Sequence, residues 1–149
     1  MTAAFRHLLA QAQAVHRDHA GLARFCGFPA DIQDQEHTPF DIPAAVLMNG
    51  NTGATTPEMA AFRDAFVAAG PDAEWRETYK DTDIGADFMD RFACYCLIGP
   101  GAPFISNLMA GYVVFMPAGL HYTWHHHPAE EMYLVLSGEA EFLRKGEAP

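Results

Sequence analysis

Residues 121–138 read HYTWHHHPAEEMYLVLSG and hold the side chains best suited to chemistry, four histidines, two glutamates and two tyrosines. Imidazole nitrogen and carboxylate oxygen in close succession are ligands for a transition ion, provided the backbone turns them toward one point. In a strand alternate side chains share a face, so His125 and His127 project together while His126 projects away. Pro128 lacks an N–H and disfavours helical geometry at His127, which predicts that the segment ends there and turns. The chain resumes with Glu131, Tyr133 and Val135 on a common face. A short hairpin laying that face over His125 and His127 would gather two imidazoles, a carboxylate and a phenol. The set suits one divalent zinc, iron, manganese, cobalt or nickel ion, and is too rich in nitrogen for calcium or magnesium. Read without chemistry, the same stretch is a histidine-rich surface loop.

Tyr133 is the candidate proton acceptor. A free tyrosine ionises near 10, too high for a base at neutral pH, but contact with a divalent cation favours the phenolate. Read otherwise, Tyr133 lines the interior as packing. Strict alternation puts Tyr122, Trp124 and His126 opposite His125. Tyr122 then reaches the site only through a bulge or an irregular strand start, and otherwise packs beneath the N-terminal helices. Trp124 offers its ring face to a substrate cation or packs in the core. His121 shares parity with the two candidate ligands, at the mouth of the site.

The elements that must position these groups fall in two portions. Residues 3–25 carry Phe5, Leu8, Leu9, Ala12, Val15, His19, Leu22 and Phe25 at three- and four-residue steps, with Thr2 as cap, which predicts an amphipathic helix. His16 and His19 read as core or helix-surface residues there, not as ligands. Residues 26–54 read as loop, with one helical turn around Ala44–Met48. A second helix is expected from the Thr56 cap and Pro57 to the stop at Gly70-Pro71, with Met59, Phe62 and Phe66 as its apolar edge. From Glu74 the period becomes alternating. Short strands are expected at 74–80, 91–99, 103–109, 111–119, 120–127, 131–137 and 139–145, which suggests a sandwich or barrel. The expected organisation is an N-terminal helical extension over 1–73 packed on a β-domain over 74–149.

Composition narrows the function. The chain has 149 residues, half of them hydrophobic, enough for one core, and 9 Lys+Arg against 19 Asp+Glu for a net charge of −10. That field repels phosphate backbones and argues against a nucleic-acid partner, but says little about a small zwitterion. Cys94 and Cys96 read as buried reduced thiols in a strand. The N-terminus is too short in apolar residues for a secretory signal and no stretch reaches a membrane span, so the expected compartment is the cytoplasm, without membrane attachment.

Gly119, His125, His127, Glu131 and Gly138 fall at the spacing of the first motif of the cupin superfamily. YTWHHHPAEEMYLVLSGEAEF, with the helical portion before it, resembles the cupin lyases of the DddQ type, which cleave dimethylsulfoniopropionate (DMSP), and the likeness covers most of the chain. The resemblance implies a mainly β fold, a cupin double-stranded β-helix or jelly-roll barrel with the N-terminal helical extension. It also implies one divalent metal on His125, His127 and Glu131, joined by a histidine of a second motif, with Tyr133 as catalytic base and Tyr122 as a pocket tyrosine. The reaction implied is β-elimination to dimethyl sulfide and acrylate, by a monomer or homodimer. No histidine follows Glu131, so the second motif has no counterpart. Gly146 and Pro149 read as a turn toward a further strand, and the expectation is a chain that stops short, with an open barrel. The same ligands would also serve an iron-dependent cupin dioxygenase acting on a small thiol or acid, or a non-enzymatic small-molecule-binding cupin module.

Overall fold

The computed structural model describes residues 2–50 and 53–147; Pro149 lies outside them. Helix α1, Ala3–Asp18, starts where the Thr2 hydroxyl accepts from the Phe5 amide. The helix expected over 3–25 breaks at His19, whose backbone turns extended and whose Nδ1 accepts from the Leu22 amide at 3.3 Å. His19 is therefore the cap of α2, Ala20–Phe25. His16 is buried with its ring edge-on to Phe28 at 5.4 Å.

The segment expected as loop holds β1, Gln33–Asp34, and the helical turn expected around Ala44–Met48 is there as the longer helix α3, Pro43–Gly50. Helix α4, Pro57–Ala69, begins at its proline as expected and runs into a tight turn at Gly70–Asp72. A short helix α5, Ala86–Met89, was not foreseen. Strands β2, Ala93–Ile98, β3, Phe104–Ile105, and β4, Gly111–Phe115, complete a four-stranded sheet in the order β1-β3-β2-β4. β2 pairs antiparallel with β4, placing Cys94 opposite Val114 and Tyr95 opposite Val113, while β3 runs parallel to β2.

Every residue of β2 is buried, because both faces of the sheet are covered. On one face Tyr95 meets Phe5, Phe66 and Trp75, the last edge-on at 4.8 Å, within a core that runs from α1 to Phe115. Here two sheet-side aromatics finish α4. The Tyr95 hydroxyl donates to the Phe66 carbonyl at 3.1 Å near the helix end, and the Trp75 indole N–H donates at 2.9 Å to the Gly70 carbonyl, which also accepts the Ala73 amide. On the other face Cys94 packs with Phe88 and Phe92, and Tyr79, Val114, Leu120 and Tyr122 lean against them. That second face carries the functional segment.

Of the strands expected beyond Phe115, none is laddered among the described residues. The punctuation is nevertheless as expected, with a turn at Ala118-Gly119 and bends at Pro128-Ala129 and Ser137-Gly138. A strand exists by its ladder, and the stretches between these breaks find no partner strand in the described chain. Likewise 74–80 is reduced to bridges at Glu74 and Trp75, and 103–109 to two residues. No helix among the described residues is long and apolar enough to cross a membrane.

Candidate active site

The site begins with two aromatic residues four apart, Phe88 in α5 and Phe92 just before β2, stacked at 4.8 Å and buried over Cys94. Tyr79 stands edge-on to both, at 5.4 and 5.5 Å. Tyr122 lies across the same pair at 5.5 Å from each, and its hydroxyl is hydrogen-bonded to that of Tyr79.

From Tyr122 the contacts run through the functional segment. The Tyr122 ring stacks on His125 at 4.3 Å and 25°. His125 Nδ1–H donates to the Thr123 carbonyl at 2.9 Å, which leaves Nε2 as the lone-pair nitrogen of the neutral ring. The His125 and His127 rings are 5.9 Å apart, and His127 Nε2 lies 3.3 Å from Glu131 Oε1. The other oxygen of Glu131 accepts the Tyr133 hydroxyl at 3.0 Å. Tyr133 in turn packs on Phe142 at 5.4 Å.

The run thus brings together His125, His127, Glu131, Tyr133 and Tyr122. The expectation that alternation turns Tyr122 away from His125 is corrected: with no ladder over 120–127, parity is not enforced, and Tyr122 sits on the histidine's side. Trp124, 64 % exposed, and the exposed His121 and His126 stand outside the run. Tyr79 falls inside the strand expected over 74–80 and is not among the expected site residues; its contact with Tyr122 spans 43 positions and no local signal marks it. Cys94 and Cys96 are buried and free, as expected.

Burial pushes Tyr133 up to about 12, helped by its hydrogen bond to Glu131 and by that carboxylate's charge. Burial also raises the Cys94 thiol to about 12, against the pull of Arg76, and raises Tyr79. Burial dominates at all three groups, and the charge of Glu131 adds to each in the same direction.

No three His, Cys, Asp or Glu side chains among the described residues already stand as a metal-holding group. The donor chemistry fits a transition ion all the same: a histidine with a free Nε2, a second histidine against a carboxylate, and that carboxylate shared with a phenol. His127 and Glu131 would exchange their mutual contact for the ion.

Residues 23–149 match the sequence profile of the dimethylsulfoniopropionate lyase family. The chain is 56 % identical over 146 residues to the dimethylsulfoniopropionate lyase DddQ of Ruegeria pomeroyi DSS-3, covering 98 % of this chain and 73 % of that one. The crystal structure of DMSP lyase DddQ from the same organism matches with a TM-score of 0.95 and 54 % identity, over 99 % of this chain and 75 % of the other. A second match, from crystal structures of the DMSP lyases RdDddP and RnDddQII, has a TM-score of 0.75 and 30 % identity over 79 % of this chain and 60 % of that one. The chain therefore spans about three quarters of the DddQ relative.

Proposed function

This chain belongs to the dimethylsulfoniopropionate lyase family, and we propose that it is a carbon–sulfur lyase that cleaves DMSP to dimethyl sulfide and acrylate. In the mechanism we infer, a β-elimination, a proton leaves Cα, the pair left behind forms the carbon–carbon double bond, and the Cβ–S pair departs with dimethyl sulfide. The sulfonium leaves readily, so the removal of the carbon-bound proton is the hard step.

The observation that carries the mechanistic reading is the hydrogen bond from Tyr133 to Glu131. The phenol is thereby held against a carboxylate of the candidate ligand set His125, His127 and Glu131, which supports its reading as the base. A divalent transition ion on those donors would bind the substrate carboxylate and favour the phenolate of Tyr133. Tyr133 oxygen then takes the Cα proton. Tyr122, stacked on His125, orients the substrate beside it, with Trp124 and His121 at the rim. We read the chain as a cupin β-domain over 74–149 with a helical extension over 1–73, the extension lending strand β1 to the sheet's edge. We take the protein to act in the cytoplasm on this small zwitterion, as a monomer or homodimer.

The test is Tyr133→Phe, assayed for dimethyl sulfide in the headspace and for bound metal by elemental analysis. Loss of a general base costs on the order of 100-fold or more. The expected outcome is that loss with metal uptake unchanged; an active variant removes Tyr133 from the role, and wild-type protein that releases no dimethyl sulfide from DMSP removes the activity.

A further inference from the structure

We propose that Tyr79 is a positioning residue of this site: its hydroxyl and ring hold Tyr122 in the stack that orients the His125 imidazole. Tyr122 lies on a stretch without ladder hydrogen bonds, so its ring is set by what touches it. Besides the His125 ring it stacks on, those contacts are Tyr79 edge-on at 5.7 Å, Phe88 and Phe92 each at 5.5 Å, and the bond between the two tyrosine hydroxyls. The phenylalanines grip the apolar body of the ring. Only a polar partner fixes how far the ring slides along them, and Tyr79 supplies it.

Tyr79 is itself held firmly. It is edge-on to the stacked Phe88–Phe92 pair, and its carbonyl accepts from the Thr82 hydroxyl at 2.7 Å and the Thr82 amide at 3.2 Å. The restraint therefore passes from the buried second face of the sheet, through Tyr79 and Tyr122, to His125. That ring then has two fixed references: Nδ1–H on the Thr123 carbonyl sets its rotation, and the 4.3 Å stack on Tyr122 sets its plane. Both are needed to aim a lone pair.

The consequence for metal binding rests on the reading of His125 as a ligand, but the positioning itself does not, and the test separates the two. In metal-free protein the Tyr122 ring current shifts the ring-proton resonances of His125, identified by their absence in His125→Gln. Tyr79→Phe, which keeps the ring and removes the hydroxyl, is expected to move these lines toward their unstacked positions while the melting temperature holds. In cobalt titrations, Tyr79→Phe and Tyr122→Phe cut the same hydroxyl pair. Each is expected to weaken binding about two- to tenfold, the worth of one net hydrogen bond, and the double variant no further. Unmoved His125 lines in Tyr79→Phe, additive losses in the double variant, or loss of the melting transition in Tyr79→Phe would each overturn the proposal. Wild-type protein that takes up no cobalt sinks the metal reading instead, and the resonance shifts still decide the role of Tyr79.

Discussion

Tyr133 donates to one oxygen of Glu131 at 3.0 Å while the other oxygen of the same carboxylate lies 3.3 Å from His127 Nε2. One side chain thus stands between the candidate base and a candidate ligand. In this arrangement burial, with the hydrogen bond to Glu131 and its charge adding to it, keeps the proton on the phenol and carries Tyr133 to about 12. Drawing Glu131 to a cation would take the acceptor away and bring positive charge near, and both changes favour the phenolate. Ligand and base are coupled through a single residue.

Glu131→Gln keeps the shape and removes the charge. Metal affinity is expected to fall by at least about 100-fold, since even outer partners of metal ligands are worth 10–100-fold. Isothermal titration with zinc or cobalt measures it, and wild-type affinity in the variant would take Glu131 out of the ligand set.

The buried thiol of Cys94 and the buried phenols give stability a defined pH dependence. Burial raises Cys94 from about 9 to about 12 in the folded chain, and Tyr95 is pushed up as well. Below about pH 9 these groups are protonated whether folded or not, so their contribution is fully present there. Between about pH 9 and about pH 12 the unfolded chain sheds protons first, and stability is lost as pH rises through that window. The melting temperature should therefore decline from about pH 9 upward, and in Cys94→Ala the decline should be shallower from the same onset, because burial also raises the Cys96 thiol. A melting temperature that stays level across this range contradicts the assignment.

Tyr95→Phe tests how the sheet closes α4. The variant keeps the ring against Trp75 and Phe5 but leaves the Phe66 carbonyl without its donor in the core. An unsatisfied buried acceptor costs about 1–3 kcal/mol, which for a chain of this size lowers the melting temperature by roughly 2–4 °C per kcal/mol. Calorimetry reads the shift, and an unchanged transition would mean that water replaces the tyrosine.

What was legible in the sequence follows from which forces are local. Thr2 and Pro57 mark helix starts because capping and a fixed φ act within one turn, and the structure begins both helices there. The all-apolar run of β2 announces a strand covered on both faces. His19 was harder, because the break it makes depends on its own imidazole capping the next turn. Strand β1 is the polar pair Gln33–Asp34, recognisable only by its register against β3. At the site, Glu131 and Tyr133 are close enough in sequence to meet without a ladder, and of the two placements open to Tyr122 the irregular one, on the side of His125, is found. Tyr79 joins Tyr122 across 43 positions, and no local pattern carries such a contact.

The segment that bears Glu131 and Tyr133 is tied down just beyond them, at the loop before α4. The Gly138 amide donates to the Ala54 carbonyl at 2.8 Å, and the Thr55 hydroxyl donates to the Leu136 carbonyl at 2.6 Å. Gly53 permits this approach twice over: its φ is +67°, and a Cβ there would run into the Ser137 hydroxyl. Gly53→Ala therefore combines left-handed strain of about 1–2 kcal/mol with a clash at the dock. Leu136 packs at the edge of the main core, so global melting should fall by several degrees, while amide exchange at Leu136, Ser137 and Gly138 should quicken about tenfold or more as the dock opens. Lyase activity should fall with it, because Glu131 and Tyr133 lose their anchored end. Exchange and activity that both match wild type would show that the segment is held by its own turns and not by this loop.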